Sequence, residues 1–215
     1  IGAGEVAVAY FDEDAGNLKL KYSGNAWNAS NLSGGGVWSD LVVDNNPLTG
    51  SHVSMAEGQR GGTTYLYLAY HDAAETSLKL AEINWTTKAV ATVVVDNRFT
   101  VGTRTRVQVI DGIPHVAYYS DSYSGTRNAM RLAFPVAANG RTAEENITMP
   151  GADAYEQYTG NWEVAAVPTV TPAKGGIEQF NRAQLDTYTN AGANLPVVAW
   201  LGDRIEYAKL QPPAP

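Results

Sequence analysis

The chain contains no cysteine, which excludes disulfides, thiolate metal sites and cysteine nucleophiles. Charge is also scarce. Asp, Glu, Lys and Arg make up 17% of the residues, against roughly 25% in an average soluble domain. The charge present leans one way, with 22 acids against 15 Lys and Arg for a net charge of −7. So acidic a chain does not attract a phosphate backbone, and nucleic acid is not an expected partner. No apolar run reaches the length needed to cross a bilayer, so no membrane span is expected. There is no Gly-x-Ser-x-Gly turn for a nucleophile, and no phosphate-cradling Gly loop ending in Lys-Ser or Lys-Thr. The histidines, His52, His71 and His115, fall in three separate contexts without a metal-ligand spacing.

In place of charge the chain has 21 Gly, 12 Tyr and 5 Trp among many Ser, Thr and Asn, a mixture that suits short strands joined by turns. One phrase occurs four times. It reads VAVAYFDEDAGNLKLKYS from Val6, YLYLAYHDAAETSLKLAEI from Tyr65, PHVAYYSDSYSGTRNAMRLAF from Pro114 and PVVAWLGDRIEYAKL from Pro196. Each copy is an apolar strand ending in Ala and an aromatic, then a polar turn, then a second strand of period 2. The shared Ala residues are 9, 69, 117 and 199, in steps of 60, 48 and 82.

Two further strands precede every copy but the first, with Trp38, Trp85 and Trp162 as a recurring cue. The spacing predicts fourteen strands, near 5–11, 18–23, 39–44, 51–56, 64–70, 77–83, 90–96, 105–110, 113–119, 128–134, 164–170, 182–186, 195–201 and 204–210. A unit of four antiparallel strands in about 45 to 50 residues matches one blade of a β-propeller. The expected fold is therefore all-β, a β-propeller of four-stranded antiparallel blades with three complete blades and one half blade. The half blade is 1–23 and the blades are 38–83, 90–134 and 163–210, the last preceded by a long insertion at 135–161. A β-sandwich would also have short strands, but it would not explain the fourfold phrase.

Alternate connections of an antiparallel meander emerge on one side. The longer set carries Trp27, Arg60, Tyr155, Tyr158 and Tyr188, and these are the expected ligand-binding residues, because aromatic-bearing loops on a rigid scaffold are where binding sits. The competing reading is that such aromatics only pack the loops down. Asp12 and Asp14 in Asp-Glu-Asp-Ala-Gly-Asn are weak calcium candidates, since Leu18 and Lys19 resume a strand before further oxygen ligands can follow. No other metal, no cofactor and no catalytic residue is expected.

The Ala-Tyr-x-Asp and Leu-Lys-Leu-Ala phrase resembles the repeats of secreted propellers, including sialidase-like and fucose-lectin-like ones. Ser120-Asp-Ser-Tyr-Ser-Gly-Thr-Arg echoes the sialidase Asp-box without matching it, so no catalytic residue carries across. The resemblance implies a non-catalytic exported module, extracellular, on the cell surface or periplasmic. It would bind protein or glycan or serve a surface assembly, and the alternative is a propeller glycoside hydrolase or an accessory part of one. The chain opens Ile1-Gly2-Ala3-Gly4, as a processed product or a piece of a longer one would. The half blade predicts a partner, a second chain or a missing N-terminal part, that completes the ring and meets this chain at Val6, Val8 and Tyr10 at one end and at the 195–210 hairpin at the other.

Overall fold

A computed structural model describes residues 5–23, 38–97, 100–121, 129–135, 162–166, 184–190, 193–201 and 205–209. Among them every regular element is a strand, and the fourteen strands correspond one for one to those the sequence predicts. They form four antiparallel sheets in chain order. The first holds β1 (Ala7–Asp12), β2 (Asn17–Ser23) and β3 (Trp38–Asp44). The second holds β4 (Thr49–Arg60), β5 (Thr63–Asp72), β6 (Ser77–Asn84) and β7 (Val90–Asp96). The third holds β8 (Thr100–Ile110), β9 (Ile113–Asp121), β10 (Ala129–Pro135) and β11 (Trp162–Ala166). The fourth holds β12 (Gln184–Asn190), β13 (Ala193–Leu201) and β14 (Ile205–Lys209).

The ladders therefore group the strands differently from the expectation, which placed 38–44, 90–96 and the strand near 164–170 at the start of a blade. Trp38–Asp44 pairs back onto β2, with Ser23 opposite Trp38 and Leu20 opposite Leu41. Val90–Asp96 likewise pairs onto β6, and Trp162–Ala166 onto β10. Each is the last strand of its sheet, and the described strands divide three, four, four and three. The short connection 45–48 passes between sheets, whereas the longer 24–37 joins two strands that pair.

Period-2 alternation sends each sheet's side chains to two opposite cores. Leu66, Leu68 and Tyr70 of β5 join Leu18, Leu20 and Val43 of the first sheet in one cluster. Tyr67 and Ala69 of the same strand join Val107, Val116 and Tyr118 of the third sheet in another. With both faces of the second sheet buried, β5 reads as an unbroken apolar run. Each fully buried Leu contributes about 1.5–3 kcal/mol.

The first strand of each later sheet lies against its predecessor, β4 on β1 and β2, β8 on β4, β5 and β6, and β12 on β8 and β9. Two glycines allow the approach. Gly50 and Gly102 have φ of 107° and 89°. A Cβ on Gly50 would stand 2.7 Å from Leu18 Cβ, and one on Gly102 would stand 2.8 Å from Leu78 Cα. Leu18 and Leu78 occupy the same place in the repeated phrase. Past each glycine the strand bulges, and His52 and Arg104 adopt φ of 55° and 56°.

Candidate functional site

Polar side chains collect at both ends of the strands. At the β5–β6 turn, Asp72 Oδ1 accepts from the backbone N–H of Ala74 and of Glu75, at 3.0 and 3.1 Å. Its other oxygen lies 2.6 Å from Lys79 Nζ, and Lys79 also reaches Asp44 Oδ2 of the preceding sheet at 3.3 Å. Tyr70 donates to the same Asp44 oxygen at 2.8 Å, and all four residues are buried. Burial pulls the Lys79 pKa down, but Asp72 and Asp44 outweigh it and the net direction is up. Burial first, then the Asp44 carboxylate, pushes the Tyr70 phenol far above its usual range.

The same turn recurs at Asp12, whose Oδ1 accepts from Asp14 and Ala15 N–H while Oδ2 pairs with Lys19 at 2.6 Å. That Lys19 bond, with the Ala15 N–H next, holds the Asp12 carboxyl below its usual pKa. Asp12 and Asp14 thus form an Asx turn with a lysine counterion. Among the described residues no group of three or more His, Asp or Glu converges as metal ligands would. The strands do bring together two histidines that look scattered in sequence, His52 and His71, with ring centroids 6.3 Å apart. His71 Nδ1 lies 2.8 Å from the Val101 carbonyl oxygen of β8, which makes it a tie between sheets.

The opposite end holds a cleft of about 230 Å3 between the second and third sheets. Arg60, Tyr67, Leu80, Glu82 and Val93 line one side, and Pro114, Pro135 and Trp162 line the other. Arg60 ends β4 at a turn in which Gly61 and Gly62 both have positive φ, 59° and 77°, as a primed hairpin turn requires. Its guanidinium lies 4.5 Å from the centroid of the Tyr65 ring and grips Glu82 by both nitrogens, at 2.8 and 2.6 Å. The Tyr67 side chain is 1% exposed and its hydroxyl makes no hydrogen bond within 3.5 Å among the described residues. Burial, with Glu82 next in effect, pushes its pKa up to about 12.

The cleft exists because the repeat departs from itself. Matching Ala9 to Ala69 puts Tyr22 where Glu82 stands. Between the first two sheets that end is filled. Tyr22 meets Trp85 edge-on at 5.4 Å, and Lys88 Nζ lies 3.2 Å from the Trp85 ring centroid and 4.8 Å from that of Tyr22. Trp85 Nε1 donates to Glu5 at 2.5 Å. Burial pulls the Lys88 pKa down and Glu5 opposes it.

Of the residues expected to bind ligand, Arg60 lines the cleft. Tyr188 falls within β12 opposite Leu195, in a ladder running to Asn190. It is thus a strand residue and not the loop residue the sequence suggested. Trp27, Tyr155 and Tyr158 lie outside the described residues. The connection 136–161, which carries the last two, leaves at Pro135 and returns at Trp162, and both line the cleft. Sequence reasoning missed Tyr67, Glu82 and Pro114, because a Tyr or Glu within an alternating strand reads as ordinary packing or solvent face.

No helix among the described residues is long and apolar enough to cross a membrane. Comparison with protein-family models, curated proteins and solved structures finds no match.

Proposed function

We propose that the chain is part of a β-propeller-type stack and works as a non-catalytic, exported binding module that takes a sugar ring in the cleft between its second and third sheets. The consecutive four-stranded sheets support the propeller reading, with first strands packed side by side and one Gly–Leu approach used twice. The single observation that carries the ligand reading is the buried Tyr67 hydroxyl, without a hydrogen-bond partner among the described residues, on a cleft whose other walls include Pro114, Pro135, Val93 and Trp162. A sugar offers hydroxyls that both donate and accept, which suits a phenol beside a guanidinium and a carboxylate. Its apolar ring face suits the proline and tryptophan walls. At about 230 Å3 the cleft is smaller than the ~300–1,000 Å3 of sites for drug-sized molecules, so it suits one ring.

Hydrolysis of a glycoside ordinarily needs two carboxylates about 5–10 Å apart. Glu82 is the one carboxylate lining the cleft among the described residues, and Arg60 takes both its oxygens. Calorimetric titration with a panel of neutral monosaccharides tests the proposal. Binding by the parent chain, weakened at least tenfold in Tyr67→Phe and Arg60→Ala with no turnover of aryl glycosides, is the expected result. No binding by any sugar, or release of the aryl group, overturns it.

A further inference from the structure

The two interfaces inside the chain are alike and have a direction. At the first, Leu68 and Tyr70 of the second sheet pack onto Leu20 and its neighbours in the first, and Tyr70 and Lys79 engage Asp44. At the second, Val116 and Tyr118 pack onto Ala69 and Leu80, and Tyr118 engages Asp96. The second and third sheets thus each present an inserting face, bearing the Ala-Tyr tyrosine, to a receiving face of the sheet before them, and the fourth copy of the phrase carries Trp200 at the tyrosine position.

The first sheet has a matching face on which none of the other described sheets sits. In register, Val8, Tyr10, Lys19 and Val42 stand where Leu68, Tyr70, Lys79 and Val94 stand in the second sheet. Leu68 and Tyr70 are 0% exposed, whereas Val8 and Val42 are 50% and 47% exposed. Lys19 pairs with Asp12 at 2.6 Å just as Lys79 pairs with Asp72, but no described carboxylate of a neighbouring sheet faces it as Asp44 faces Lys79. At the far end of the stack, the fourth sheet places Val197, Ala199 and Tyr207 at the register positions of Tyr67, Ala69 and Leu80, the receiving positions of the second sheet.

The geometry points to a second copy of this chain as the occupant, docked head to tail. The Val8–Tyr10–Lys19–Val42 face of one copy seats on the far face of the β12–β14 sheet of the other. A second copy brings the complementary face in the same register and continues the stacking seen twice within the chain. Two copies contribute eight sheets, at the upper end of the roughly four to eight blades of closed rings, so the contact closes on itself and does not propagate into a fibre. The inference rests on the propeller-type stacking proposed above but not on the sugar site, and its readout is mass and not ligand binding.

Light scattering on the full chain is expected to give twice 23.0 kDa. Val8→Lys should return it to the single-chain mass with its far-ultraviolet spectrum unchanged, because the free chain already exposes that position, and Val8→Ile should keep the double mass. The chain lacks cysteine, so introduced thiols report cleanly. Val8→Cys combined with Tyr207→Cys should crosslink under oxidation, because these positions match Leu68 and Leu20 of the internal interface. Val8→Cys alone should not. A single-chain mass for the parent, a Val8→Lys chain that keeps the double mass, or self-crosslinking of Val8→Cys alone overturns the head-to-tail contact.

Discussion

Tyr118 donates a 2.5 Å hydrogen bond from its hydroxyl to Asp96 across the second inter-sheet boundary, where Tyr70 and Asp44 make the same bond at 2.8 Å across the first. The tyrosine belongs to the repeated Ala-aromatic phrase. The aspartate ends the last strand of the sheet before it. Phenol and carboxylate are both buried, and the Asp44 carboxylate also accepts from Lys79 and from the Asn46 N–H. Tyr70→Phe and Tyr118→Phe should each cost about 1.5–3 kcal/mol, the range for hydrogen bonds to charged groups. Urea unfolding checks this. A shift under half a kcal/mol would mean that water replaces the bond.

Lys79 is the counterion to two buried carboxylates, Asp44 and Asp72. Lys79→Met keeps the aliphatic stem and strands both acids, at a cost of about 3–5 kcal/mol. Adding Asp72→Asn should recover part of that loss, because the Asn oxygen can still accept the turn's N–H groups. Chemical denaturation of the single and double variants reads the coupling directly.

Gly102→Ala sets a methyl 2.8 Å from Leu78 Cα with φ at 89°, whereas Gly61→Ala at φ 59° meets nothing within 4 Å. The first should cost several kcal/mol from clash and strain together. The second should cost about 1–2 kcal/mol from strain alone. Thermal melts of the pair would separate the two causes, and equal losses would refute the close approach.

Burial holds the pKa of His115 below 6.5, against smaller upward effects of the Ile113 carbonyl and Asp111. The ring stacks on Phe134 at 5.4 Å. His52 shifts the same way, from burial first and then His71 and Arg104. As pH falls through 6.5 the unfolded chain takes up protons that the folded chain refuses. The stabilisation is therefore complete above the unfolded pKa and is lost progressively below it. The urea midpoint should drop between about pH 7.5 and pH 5.5, and His115→Gln should flatten part of that slope.

The strands were legible because the period-2 pattern of a segment such as Leu78–Ile83 is local. Their grouping was not. A repeated phrase shows that strands recur, but not whether 38–44 pairs backward onto 17–23 or forward onto 49–60. Loop length favoured the wrong neighbour, since 45–48 is the shorter link. The deciding features are the Asp44–Tyr70 bond and the Gly50–Leu18 contact, both long-range pairings that no window of sequence displays. Of the site, Arg60 was legible as a candidate, although it ends β4 opposite Thr63 and does not stand on the loop the sequence suggested. Tyr67 was not, because its hydroxyl matters only through the wall that β9 and β11 place opposite.

Pro135 and Trp162 face each other across one rung of the β10–β11 ladder. The 26 positions between them thus leave and re-enter the fold through a doorway one strand spacing wide, which asks nothing of their length. Doubling or halving such a connection changes its closure entropy by only about 0.6 kcal/mol. Both jambs of that doorway are walls of the cleft, so the rung that holds the two ends of the connection together also fixes one side of the cleft.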